Sequence, residues 1–194
     1  MAVLLGNLLS GPPKLGSVLI VVSPAKSLDY ESPLATKKAT EPRMLDESAQ
    51  LVDVMVKKSP ADLQQLMHIS PALAELNFDR FQDWQLPFTK ETARPAVLAF
   101  SGDVYLGLEA GTFSERDFTH AQKVFRILSG LYGVLRPLDL MMPYRLEMGS
   151  KVKNDRGNDL YSFWRDDVTK TLAADIEASP GANVLINLAS NEYF

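Results

Sequence analysis

Apolar residues follow two rhythms along this chain. Short unbroken runs stand at 18–22 (VLIVV), 96–100 (AVLAF) and 183–188 (NVLINL). Each has the length of a strand and ends in a polar or turn-forming element, so each reads as a buried strand. Between them, apolar positions recur at helical spacing. Leu45, Ala49, Val52 and Val56 would share one face of a helix over 44–58. Ser59-Pro60 starts a second helix, to about 67, with serine as cap and proline in the first turn. Ser70-Pro71 repeats that signal for a short third helix, and 74–84 forms a fourth helix or a helical turn. Phe78, Phe81 and Trp84 share a face there, which points to core packing rather than base stacking. Ser114 with Asp117 makes a weak capping box, since aspartate replaces the usual glutamate. Helical spacing then runs through Phe118, Ala121, Phe125 and Leu128. Asn158 or Asp159 caps a long helix over 160–178, ended by Pro180-Gly181. The stretch 23–43 holds three prolines and reads as a long loop.

Strands separated by helices predict an α/β (or α+β) fold, with a partly parallel sheet flanked by helices. A length of 194 residues suits a single compact domain with a sizeable core. Three strands are few for this much helix.

Each predicted strand ends in a short polar element: Ser23-Pro24-Ala25-Lys26, Ser101-Gly102-Asp103 and Ser190-Asn191-Glu192. Ligands of open α/β sheets bind outside the carboxyl ends of the strands. If the three strands are parallel neighbours, Lys26, Asp103 and Glu192 converge there. A cation, two carboxylates and several hydroxyls would hold a polar small molecule such as a nucleotide or nucleobase. They would also serve acid–base catalysis if burial and mutual charge moved their pKa values. The competing reading is structural: Lys26 pairs with Asp103 or Glu192, and Gly102 is a turn residue.

Composition narrows the chemistry. There is no cysteine, which excludes disulfides, thiolate metal sites and thiol-based peroxide reduction. His68 and His120 are isolated, so no metal site and no cofactor is expected. No Walker loop, dinucleotide fingerprint or nucleophile elbow is present. The chain reads as a binding protein rather than an enzyme. Net charge is −4, yet residues 120–153 hold six basic and two acidic residues. That asymmetry suggests an anionic partner or, equally, a solvated surface. No run reaches the roughly 18 apolar residues of a membrane span, so no membrane partner is expected. Residues 1–17 lack a basic start before their apolar stretch and read as a disordered or added leader, not a signal peptide. The expected location is the cytoplasm.

One block fits neither rhythm. Residues 128–149 read LSGLYGVLRPLDLMMPYRLEMG, with paired glycines and two arginines in an apolar setting. Gly130-Leu131-Tyr132-Gly133 is similar to the turn of a helix-hairpin-helix element, in which glycines let backbone N–H groups approach a phosphate. Such a turn would contact double-stranded DNA through Lys123, Arg126, Gly130, Tyr132, Gly133, Arg136 and Arg145, without reading sequence. Two residues separate the glycines rather than one, and Pro137 follows closely. The alternative is that Gly130 ends a helix and the rest is a packed loop. Arg145 and Glu147 would form an ion pair.

This block, with SPAK at 23–26, LAFSGDVYLGL at 98–108, GNDLYSFW at 157–164 and NLASNEYF at 187–194, resembles the YaaA family of bacterial peroxide-stress proteins. The match runs in family order from about Val18. The resemblance implies that 1–17 precedes the family domain. It also implies that 18–194 is that domain without a C-terminal strand-rich part. It implies a peroxide-stress role in which DNA is shielded from iron and peroxide, by non-sequence-specific DNA binding and a lowering of free intracellular iron. The alternative function is an enzyme acting on a nucleotide, nucleobase or similar metabolite at Lys26, Asp103 and Glu192.

Overall fold

Four β-branched residues in five make Val18–Val22 a strand, β1, and both of its edges are occupied. The computed structural model describes residues 18–179 and 184–193. The predicted leader at 1–17 and the helix stop at Pro180-Gly181 lie outside them. β1 pairs in parallel with β5 (Phe125–Ser129) on one side and with β8 (Val184–Asn187) on the other. β6 (Gly133–Leu135) adds to β5 antiparallel, giving the order β6-β5-β1-β8. β2 (Ser27–Leu28) with β4 (Phe100–Ser101), and β3 (Arg94–Pro95) with β7 (Leu140–Met141), form two small antiparallel pairs. The fold is mixed α/β, with a partly parallel sheet flanked by helices.

The helices follow their caps. α1 spans Leu45–Met55, and its buried face, including Leu51 and Met55, is rotated from the expected one. α2 (Pro60–Met67) has the capping box of Ser59 with Asp62. α3 (Pro71–Asp83) starts on Ser70 and fuses the predicted third and fourth helices. α6 (Glu115–Val124) has the box of Ser114 with Asp117, so aspartate does close it. α7 (Leu160–Ala178) is capped by Asp159, with a break at Arg165 (φ 38°).

Two expectations are corrected. The run at 96–100 is not a sheet strand: Ala96–Ala99 is a helical turn, α4, and β4 is only two residues. Pro95 sits at the helix N-cap with φ −54°, and the N–H groups of Ala96 and Val97 are taken by the carbonyls of Asp139 and Pro137. A short apolar run does not by itself separate a strand from a buried helix. Conversely, the helix expected to run through Phe125 and Leu128 stops at Val124, and Phe125 begins the third parallel strand.

The helix-hairpin-helix element is the third correction: the segment is strand–turn–strand. Ser129 pairs with Gly133 across a turn of Gly130, Leu131 and Tyr132. Leu131 and Tyr132 are fully buried. Their N–H groups donate to the Ser129 hydroxyl at 3.2 and 2.8 Å, and that hydroxyl also bonds Tyr144 at 2.6 Å. Gly130 is required by packing, since a Cβ there would collide with the Leu146 carbonyl. Gly133 has φ +65°, and a Cβ would press on Met44 and Trp164. The glycines therefore seat the hairpin in the core.

Candidate functional site

The parallel pair β1 and β8 delivers two polar loops to the same end of the sheet. Ser23 to Lys26 leave β1, and Ser190 to Tyr193 follow β8. Segment 144–147 closes the third side. Together they line a cleft of about 150 Å³. The loops are tied across the sheet, since Ser23 Oγ accepts from the Ser190 N–H at 2.9 Å and lies 3.3 Å from its hydroxyl. From below, Tyr105 donates to the Ser23 carbonyl at 2.9 Å.

The charges form a chain. Lys26 Nζ is 3.3 Å from Glu147 Oε2, and Arg145 Nη2 donates to Glu147 Oε1 at 2.9 Å. One carboxylate is thus held between two cations, and the predicted Arg145–Glu147 ion pair is present. The Lys26 side chain remains 66% exposed, while Arg145 is largely covered. Arg145 Nε is sealed from solvent and has no hydrogen-bond partner. A second carboxylate, Glu192, accepts from the Gly149 N–H at 2.8 Å. Its backbone carbonyl takes the Tyr161 hydroxyl at 2.7 Å. Burial, above all, raises the pKa values of the Tyr144 and Tyr193 phenols, so both stay protonated across the physiological range.

Of the three strand-end residues singled out in the sequence, Lys26 and Glu192 meet here. Asp103 does not. It is exposed in the first turn of α5 (Asp103–Leu108), because its apolar run never joins the sheet. The loop before it still abuts the cleft, since a Cβ on Gly102 would lie 3.1 Å from that of Ala25. Neither Asp103 nor Glu192 pairs with Lys26. The partner is Glu147, which sequence spacing did not bring near Lys26. The clue was Arg145–Glu147 itself, an i, i+2 pair inside an apolar block.

The residues expected to touch DNA are dispersed. Arg126 is 5% exposed on β5, with Nε 2.6 Å from Asp175 Oδ2 and Nη1 on the carbonyls of Gln122 and Phe125. Arg136 pairs with buried Asp139 at 2.8 Å and donates to the Glu41 carbonyl. Gly130, Tyr132 and Gly133 are inside the hairpin, and Arg145 belongs to the cleft. Lys123 is exposed, as are Lys151 and Lys153. Much of the basic surplus in 120–153 is therefore held in ion pairs. His68 caps α2 in the left-handed conformation. Among the described residues no group of three or more His, Asp or Glu is placed to hold a metal ion. Nor is any described helix long and apolar enough to cross a membrane.

Residues 18–194 match the family described as peroxide stress protein YaaA. The chain belongs to the YaaA family of peroxide stress proteins. The UPF0246 protein of Teredinibacter turnerae is 59% identical over 177 residues, covering 91% of this chain and 69% of that protein. The UPF0246 protein of Saccharophagus degradans is 56% identical over the same length and shares. Family membership assigns the chain a role in peroxide stress. The match covers every cleft residue, from Ser23 to Tyr193.

Proposed function

We propose that this YaaA-family chain serves the peroxide stress response by binding a small polar metabolite, a nucleotide or nucleobase in class, in the strand-end cleft. One observation carries the reading. Two cations and two carboxylates meet at the carboxyl ends of parallel strands, where α/β sheets take their ligands. At about 150 Å³ the cleft is smaller than the roughly 300–1,000 Å³ of drug-sized pockets, so the enclosed group is small. A nucleobase or a compact head group suits it, with the remainder outside. Lys26 is the mobile cation that meets an anionic part of the ligand. The Ser23 and Ser190 hydroxyls and the Glu192 carboxylate fix the orientation of the enclosed group. Glu147 and Glu192 are the groups available for proton transfer should the ligand be turned over.

Calorimetric titration with nucleobases, nucleosides and nucleotides tests this. Saturable binding that is lost in Lys26→Ala and in Glu192→Gln supports the reading. A folded chain that binds none of them rejects it.

The second reading is non-sequence-specific binding of double-stranded DNA, with a lowering of free intracellular iron. The exposed Lys123, Lys151 and Lys153 favour it over the hairpin arginines as phosphate contacts. Anisotropy of a short labelled duplex at two salt concentrations separates the cases. Under this reading the Lys151→Ala/Lys153→Ala double variant loses affinity and salt dependence, while Lys26→Ala does not.

A further inference from the structure

A second pocket, of about 330 Å³, opens between the loop after β2 and the segment from α4 to the turn Ala110–Thr112. It shares no lining residue with the strand-end cleft. Its most unusual wall is Arg94, which is only 7% exposed. The backbone of Arg94 is fixed by pairing with Met141. Its Nε donates to the Leu98 carbonyl at 3.1 Å. Among the described residues its two terminal nitrogens donate to nothing and no carboxylate lies within ion-pair distance, although Asp29 in the same lining is near enough for the two charges to act on each other. These nitrogens are not sealed off either: the sealed polar atoms without a partner are Asn77 Oδ1, Arg145 Nε and Ser179 Oγ. Among the described residues, the terminal nitrogens of a buried guanidinium that lines this pocket are therefore unpartnered and still reachable. A buried charge without a partner is costly, and proteins retain one where something pairs with it.

The other walls limit the partner. Val97, Phe100, Tyr105 and Ala110 are apolar or aromatic and buried. Asp29 also lines the pocket, but its Oδ1 accepts from the N–H groups of Glu31 and Ser32, each at 2.9 Å. Hydrogen bonding from Ser32, side chain and backbone, holds its carboxyl down to about 2, so it is always charged near neutral pH. Glu109 stands exposed in the same lining. Two fixed negative charges disfavour a dianion here, and the apolar walls disfavour a fully hydrated ion. A guanidinium fork matches a planar carboxylate through two parallel hydrogen bonds.

We propose that this pocket is a second ligand site, which takes a small monoanion: a carboxylate on an apolar stem, anchored by Arg94. Inorganic phosphate offers the same guanidinium an anion without the stem, and so serves as the control.

The test is titration of the full chain, followed by ¹H–¹⁵N NMR, with hexanoate, benzoate and inorganic phosphate in parallel. Hexanoate or benzoate should saturably shift the amides of Leu98, Phe100 and Ala110. Arg94→Gln should weaken that binding by about tenfold or more, because a charge-assisted, bidentate contact is lost. Lys26→Ala, in the other cleft, should leave it unchanged. The same spectra report whether Arg94→Gln is folded, so its titration is read on a folded chain. The proposal is overturned if neither carboxylate shifts these amides, if phosphate binds and the carboxylates do not, or if folded Arg94→Gln titrates like the parent.

Discussion

Arg126, beneath α7, and Arg94, beside α5, are buried to almost the same degree, 5% and 7%. Their surroundings differ completely. Arg126 is enclosed by Asp175 and two carbonyls, and Asp175 also takes a bidentate pair from Arg43 at 2.8 Å. Arg94 has one carbonyl bond and, among the described residues, two terminal nitrogens without a hydrogen-bond partner. A buried arginine is thus not one kind of feature. The first closes a polar network and contributes to the fold, whereas the second leaves a valence for something else. Buried charge marks a candidate site only where the accounting of partners comes up short.

Removing the carboxylate from the closed network tests that contrast most severely. Asp175→Ala leaves Arg126 buried beside no anion, so a loss of about 3–5 kcal/mol is expected in urea unfolding. Acid should act in the same direction. Burial pushes the Asp175 carboxyl up, but the hydrogen bonds and charges of Arg43 and Arg126 outweigh it, and the net shift is downward. Its stabilisation is therefore complete above the ordinary aspartate value of roughly 3.9 and is lost as pH falls through the lower, folded value. Unfolding midpoints measured down an acid series should drop in the parent more than in Asp175→Asn.

Gly133→Ala comes next. The positive φ and the pressure on Met44 and Trp164 should cost more than about 1 kcal/mol by the same measurement. The open site should respond less. Arg94→Gln breaks no ion pair and gives up one hydrogen bond, so about 1 kcal/mol is expected. A loss as large as that of Asp175→Ala would mean that Arg94 is structural after all. The smallest effect belongs to Lys26→Ala, whose exposed ion pair should leave stability within about 0.5 kcal/mol while ligand binding in the cleft is lost.

Much of this fold was legible where the signal is local. β1 and β8, the Ser-Pro starts of α2 and α3, and the Asp159 cap of α7 are all written within a few residues. The failures came where tertiary partners decide. AVLAF is a short apolar run and FRILS continued a helical spacing, and local pattern alone does not separate helix from strand in either. Asp139 and Pro137 supply carbonyls that turn the first into α4, and β1 draws the second into the sheet. The strand-end rule found Lys26 and Glu192 because β1 and β8 truly are parallel neighbours. It misplaced Asp103 because that rule needs a sheet strand behind the residue. Glu147 was visible as the partner of Arg145, but its approach to Lys26 depends on how 143–149 folds back over the sheet.

β8 pairs with β1 along one side only, and among the described residues no strand meets its other side. Val184, Ile186 and Leu188 stand there with 37%, 40% and 63% of their surface exposed. A row of unpaired backbone groups next to greasy side chains is a template for strand addition. In the isolated chain this edge gives copies a place to pair. Ile186→Lys, which puts a charge on the exposed face beside that edge, is the change that would keep copies apart.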